Sequence, residues 1–344
     1  MEAQGFRANA AHGSSNDPVP GRLVCGAIAY VALLGIFCLI AAFFHLKALQ
    51  EYPLSTFLSF ALLFLPYWFL GFGTAPLVRR WLPTASLKVA AASLLGLPYF
   101  VLTIPRGNFQ WSMAATLVGI AVLTTAALVR WPSPANWADL VVLATLGLTI
   151  DLGLLSSAWP LATNGVPVWP AGLGGFPKLM MADVALFCYM VAKPLDGLGY
   201  DLAPRLSDVR IGLREFIFYA PIVIPLGLWM GFLHFHRGMP HLAMIPSAWI
   251  FTFVFVALPE ELFFRGLVQN LLERRVGRIP ALCIASVLFG LSHFNKRAVF
   301  NWRYVLLATI AGIFYGRAWR AQRRLFASSI THTSVDTVWS IWFR

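Results

Sequence analysis

"MIPSAWIFTFVFVALPEELFFRGLVQN", Met244 to Asn270, is an apolar run long enough to cross a bilayer, yet it carries two adjacent glutamates and an arginine. At 1.5 Å per residue, about 20 helical residues span the hydrocarbon core. An ionisable group at that depth costs about 3 kcal/mol on insertion scales, so Glu260, Glu261 and Arg265 each need a partner or a task. Glu261 and Arg265 are spaced i,i+4 with the acid first, the favourable orientation for a helical ion pair. Glu260 points about 100° away around the helix and has no local basic partner. Two readings stay open: it reaches an arginine or a backbone group on another helix, or it belongs to a buried polar site.

The rest of the chain sets the same environment. Of 344 residues, 59% are hydrophobic and 12% charged, which excludes a water-soluble globule. Eleven apolar stretches recur from Leu23–Phe44 to Arg324–Phe343, the sixth of them, Lys178–Ala192, short enough to be re-entrant. The expected fold is all-α, a polytopic transmembrane helical bundle of about 10 to 11 spans in contact with the lipid bilayer. The net charge of +12 does not mark a nucleic-acid surface, because the basic residues sit at segment ends without interleaved aromatics. They read as topology signals. With the tail bearing Arg7 and Arg22 on the cytoplasmic side, that side also receives Arg79, Arg130, Lys193, Arg205, Arg274, Arg275, Arg278, Arg320, Arg323 and Arg324. The positive-inside rule therefore predicts a multi-pass integral membrane protein with a cytoplasmic amino terminus. Cys25, Cys38, Cys188 and Cys283 lie in apolar spans without C-x-x-C spacing and predict neither a disulfide framework nor a thiolate metal site.

Four regions follow. Residues 1–22 form a polar tail expected to be disordered. Residues 23–192 form an amino-terminal transmembrane region of no assigned role, holding the intramembrane acids Asp151 and Asp183. The mixed-charge stretch 193–215 reads as a cytoplasmic linker. Residues 216–344 gather most of the polar chemistry.

In that last region "FGLSHF" places His293 in the span after the glutamates, and "THTSVD" places His332 and Asp336 one turn apart on one face of the final span. Residues equidistant from the turn of an antiparallel hairpin share a depth. Glu260 and His293 are equidistant from the "ERRVGR" loop, about 20 Å above it if helix continues throughout. Asp336, about 18 Å beyond Arg324, falls in the same layer, and His332 somewhat nearer that face. Glu260, His293, His332 and Asp336 are thus expected to converge, from the cytoplasmic half to the centre of the membrane. Gly312 and Gly316, spaced G-x-x-x-G, predict a helix-packing face.

These residues resemble a family. "EELFFR" matches E-E-x-x-x-R, "FGLSH" matches F-x-x-x-H through Phe289 and His293, and "HTSVD" matches H-x-x-x-N/D, in order on successive segments. The pattern resembles the CPBP family of intramembrane proteases, also called the CAAX protease or ABI family, which includes the Rce1 endopeptidases; it covers roughly Phe216 to Phe343. The resemblance implies an intramembrane endopeptidase acting on membrane-associated proteins or peptides. It gives Glu260 the role of general base, His293 that of holding the water and His332 that of oxyanion donor, with Glu261, Arg265 and Phe289 in support. Asp336 stands where relatives also carry Asn, and an ionised Asp cannot donate to an oxyanion, so orienting His332 is its alternative task. The expected mechanism needs no metal; the alternative is that the same Glu and two His form a His2Glu zinc site.

Overall fold

The computed structural model describes residues 20–43, 51–156, 158, 175–235, 245–294, 296 and 300–343. Among these residues the architecture is all-α, with twelve helices and a single antiparallel bridge between Phe235 and Phe343. The helices are α1 (Pro20–Phe43), α2 (Pro53–Gly71), α3 (Ala75–Trp81), α4 (Ala85–Thr103), α5 (Trp111–Arg130), α6 (Trp137–Asp151) and α7 (Gly175–Leu186, continued by a π-helical turn, Phe187–Ala192). There follow α8 (Leu206–Trp229), α9 (Ile245–Val276), α10 (Arg278–Leu291), α11 (Trp302–Gln322) and α12 (Leu325–Trp342). The expected tail lies outside the described residues apart from its last three positions.

Each of the eleven apolar stretches coincides with at least one helix, but continuous apolar sequence does not always give continuous helix. Leu54–Val78 breaks into α2 and α3 at Gly73, whose φ of +86° interrupts the helix without the strain a side chain would bring. Among the described residues four helices, α2, α4, α5 and α8, are long and apolar enough to cross a membrane, and two shorter helices are also apolar. The shortfall lies partly where the site is built. Charged residues lower the hydropathy of α9, serines, threonines and His332 that of α12, and α10 is only 14 residues long.

Helix α9 owes its shape to Pro259. Proline has no N–H to give the preceding turn, and the turn before it, Phe253–Ala257, is π-helical. A second π-helical stretch, Leu262–Gln269, follows the glutamates directly. Glu260 and Glu261 therefore sit on a four-residue α-helical segment between two π turns, a distortion common at functional sites.

Helix α12 is buried along most of its length, from Leu325 to Val335. It packs against α8, α9 and α11. Close approach needs small residues: a Cβ on Gly212 of α8 would stand 2.8 Å from the Ala327 carbonyl, and Thr331 Oγ1 donates to the Gly212 carbonyl at 3.0 Å. The α10–α11 contact uses the expected glycine face, where a Cβ on Gly312 would meet the Ser286 Cα at 2.9 Å.

One end of the bundle collects the basic residues assigned to one side. Lys193 Nζ lies 2.8 Å from Asp139 Oδ1, and Arg324 Nε lies 2.8 Å from Asp208 Oδ1. Arg274 Nη2 donates to the Asp196 carbonyl at 2.7 Å, Arg22 pairs with Asp201, and Arg323 pairs with Glu273. The stretch 193–215 takes part through Asp196, Asp201, Asp208 and Glu215, and its last ten residues are the first turns of α8. These charges tie the starts of α8 and α12 to the last turns of α9.

Candidate active site

The Glu261–Arg265 pair forms as its spacing demands. Arg265 Nη1 lies 3.0 Å from Glu261 Oε1, with both side chains almost fully buried. The guanidinium also donates from Nη2 to the Gly312 carbonyl at 3.1 Å and lies 4.6 Å from the centre of the Phe289 ring. Phe289, chosen from the motif as support, thus covers the arginine face by a cation–π contact. Gly312 is midway along α11, so the pair lies near the middle of the bundle.

Glu261 has a second task that its spacing to Arg265 did not suggest. Its Oε1 lies 2.8 Å from His332 Nδ1. A carboxylate only accepts, so Nδ1 carries the proton and Nε2 is the nitrogen left for chemistry. That Nε2 lies 3.8 Å from Glu260 Oε2 and 3.5 Å from Asp336 Oδ2. Asp336 therefore faces the working side of His332, and Glu261 is the group that orients the ring from behind. Tyr315 stacks on the imidazole at 4.5 Å between centroids and 15° between planes, fixing its tilt.

His332 meets the glutamates because α12 starts deep. Leu325 N donates to the Gly199 carbonyl at 2.9 Å, and both Leu325 and Leu198 pack on Gly266 of α9. With Leu325 packed on Gly266, His332 lies seven residues along α12 and Glu261 five residues back along α9, within reach of each other. A count from an assumed membrane face could not supply that offset.

His293 stands just past the end of α10. Its Nδ1 lies 2.8 Å from the Phe289 carbonyl, an acceptor, so Nδ1 is again the protonated nitrogen and Nε2 is left for a ligand. His293, His332 and Asp336 line one cavity of about 60 Å³ with Phe289, Tyr304 and Tyr315. Glu260 lines a neighbouring cavity of about 90 Å³, enough for a few waters, whose other polar walls are Asp151, Lys178, Ser292 and Lys296. The four predicted residues thus gather around two adjoining cavities.

Glu260 does have a basic partner, on another helix. Lys178 Nζ of α7 bonds Glu260 Oε1, while Oε2 faces His332. Glu260 is thus paired across the bundle, with a lysine rather than the arginine or backbone group expected, and its side chain is 12% exposed where that of Glu261 is 0%. The sequence reading missed Lys178. It is 82 residues from Glu260, carries no motif, and opens a short span where a lysine reads as an interface anchor. Tyr67 Oη of α2 also donates to the Val254 carbonyl of α9 at 2.9 Å, so the amino-terminal region both contacts α9 and contributes to the site.

The depth expectation needs correction. Asp151 ends α6, Lys178 is in the first turn of α7 and Lys296 follows α10, so all three belong to the end of the bundle opposite the basic one. The Glu260 cavity therefore runs from mid-depth toward that end, because α10 is too short to carry His293 across a full span.

Among the described residues no group of three or more His, Cys, Asp or Glu side chains could hold a metal. The Lys178 ammonium on Glu260 would repel a divalent cation there. The four cysteines are free thiols and lie elsewhere.

A groove of about 830 Å³ between α6 and the α9–α10 pair is lined by Leu143, Leu148, Leu288 and Leu291, and shares Gly147, Asp151, Phe263 and Ser292 with the Glu260 cavity.

Residues 242–338, which hold Glu260, Glu261, Arg265, His293, His332 and Asp336, match the Rce1-like family, the type II CAAX prenyl endopeptidases. No curated protein and no solved structure matches the chain. That match supports assigning the carboxy-terminal segment to the CPBP/CAAX protease family.

Proposed function

We propose that the protein is an intramembrane endopeptidase in which Glu260 activates a water, without a metal, to cleave membrane-associated proteins or peptides. The observation that carries this reading is the placement of the two glutamates. Glu261 is sealed and spent on Arg265 and His332, whereas Glu260 lines a cavity and turns Oε2 toward His332 Nε2 at 3.8 Å.

In this reading a water donates one hydrogen to Glu260 Oε2 and its second to His293 Nε2. The water oxygen attacks the scissile carbonyl carbon as Glu260 takes the proton. The carbonyl electrons move to oxygen, and His332 Nε2–H hydrogen-bonds that oxyanion while keeping its proton. The C–N bond then breaks, Glu260 returns its proton to the leaving amine, and a new carboxylic acid and amine are released. His332 donates in this way as the imidazolium: Glu261 accepts its Nδ1–H, and Nε2 carries a second proton facing Glu260 and Asp336. Asp336, an acceptor only when ionised, tethers His332 Nε2 from the substrate side. The groove between α6 and α10 offers an apolar route from the bilayer, which suits a membrane-associated substrate. The basic end is assigned to the cytoplasm, and with it the amino terminus.

The test is cleavage of a membrane-anchored reporter peptide in proteoliposomes prepared in ¹⁸O water. The expected product has one ¹⁸O in its new carboxylate at the first turnover. Retention of ¹⁶O there at the first turnover, with ¹⁸O entering only later, would mean that a protein carboxylate attacks first.

A further inference from the structure

Glu260 carries an ion pair that a working base has to shed, and the partner comes from outside the segment that matches the family. Lys178 Nζ bonds Glu260 Oε1, with the two side chains 25% and 12% exposed. The apolar walls of the cavity they share include Leu146, Ile150, Met181, Ala182, Leu262 and Phe263. In such surroundings an ammonium–carboxylate pair is held far more tightly than in water, so solvent alone competes poorly for either member. A carboxylate bonded to an ammonium is also a poorer proton acceptor than a free one. The group best able to take Glu260's place on Lys178 is another carboxylate. Lys296 and Asp151 line the same cavity, Lys296 adding a second ammonium.

We infer that Lys178 is a binding residue for a carboxylate of the substrate, and that this carboxylate exchanges with Glu260 on Nζ and so frees Glu260 to act on water. The inference rests on the reading of Glu260 as general base. The exchange places the substrate's negative charge one side chain's length from the base, so the scissile bond lies close to that charge. It also makes the enzyme self-protecting, because Glu260 is unpaired only when a substrate of the right chemistry is seated. The carboxylate can be the free end of a peptide chain or an acidic side chain within it; both offer Lys178 the same group.

The experiment uses the full chain in proteoliposomes and one acylated fluorogenic peptide with an apolar end, made as the free acid, as the carboxamide, and as the carboxamide with one aspartate near the end. Wild-type protein is expected to favour a carboxylate-bearing form over the plain amide by about tenfold or more in kcat/KM, the scale of one charge-assisted contact. Lys178→Gln should bring that ratio close to one, and Lys178→Arg should keep most of it. Preference for the free acid alone assigns the subsite to the chain end; equal preference for the aspartate peptide assigns it to any nearby carboxylate. Binding supplies an arm that does not depend on turnover. Glu260→Gln removes the internal competitor, so it should bind the free acid about tenfold more tightly than wild type does while binding the plain amide unchanged. Equal binding of acid and amide to Glu260→Gln, or an undiminished acid preference in folded Lys178→Gln, overturns the inference even if Glu260 proves to be the base. Should Glu260→Gln cleave normally but bind the acid more tightly, the base assignment falls and the carboxylate site stands. If Lys178→Gln does not fold, the Glu260→Gln binding arm decides alone.

Discussion

His332 Nδ1 and Arg265 Nη1 converge on one oxygen, Glu261 Oε1, at 2.8 and 3.0 Å. A single buried carboxylate thus neutralises an arginine and fixes the tautomer of the histidine nearest Glu260. Glu261→Gln should strand Arg265 as an unpaired buried charge and cost about 3–5 kcal/mol. Thermal unfolding in detergent should show the loss. Adding Arg265→Met to Glu261→Gln should restore most of the stability without restoring cleavage, because His332 still lacks its orienting acceptor. A double variant as unstable as the single one would show that the arginine charge is not the source of the cost.

The junction of α10 and α11 tolerates no added methyl group at Gly290, where a Cβ would lie 2.0 Å from Thr309 Oγ1 and 2.6 Å from the Val305 carbonyl. Backbone on one side leaves no route for relaxation. Gly290→Ala should therefore destabilise by about 1–3 kcal/mol. It should also displace His293, three residues on, and lower activity in the fraction that folds. Unchanged melting and unchanged cleavage would mean that the two helices are less closely packed than described here.

Much of this site was legible because helical spacing constrains intramembrane charge so severely. Glu261 and Arg265 announced their pairing at i,i+4, and the order of the Glu, His and His/Asp motifs placed the groups on successive helices. Three things were not legible. Lys178 has no local signature, since a cross-helix ion pair is set by packing between distant segments. The offset that brings His332 level with Glu261 depends on where α12 begins relative to Gly266, a tertiary contact. Finally, the depth of the site hinged on α10 ending at Leu291, whereas the apolar sequence runs on to Asn295. Periodicity finds helices but not the places where they stop inside the membrane.

Orientation can be read by labelling. In a background lacking the four cysteines, Arg278→Cys, at the basic end, should react with a membrane-impermeant thiol reagent only from the cytoplasmic side. Trp302→Cys, exposed at the start of α11, should react only from the other side. The opposite pattern would invert the assigned topology while leaving the site geometry intact.

Metal dependence separates the two chemistries considered from the sequence. Activity of purified protein should survive prolonged treatment with a strong chelator, and elemental analysis should find substoichiometric zinc, since carboxylate and imidazole suffice to activate water. Activity that is lost on chelation and regained with stoichiometric zinc would overturn the metal-free mechanism.

The central claim, that Glu260 is the base, is tested most directly by single-turnover cleavage of the membrane-anchored reporter by Glu260→Gln beside wild type, with melting curves measured on the same preparations. Loss of the base should lower the rate by about 10²- to 10⁴-fold, with the melting temperature unchanged or modestly shifted because Lys178 is still part-exposed. A folded Glu260→Gln protein that cleaves at the wild-type rate would contradict the account.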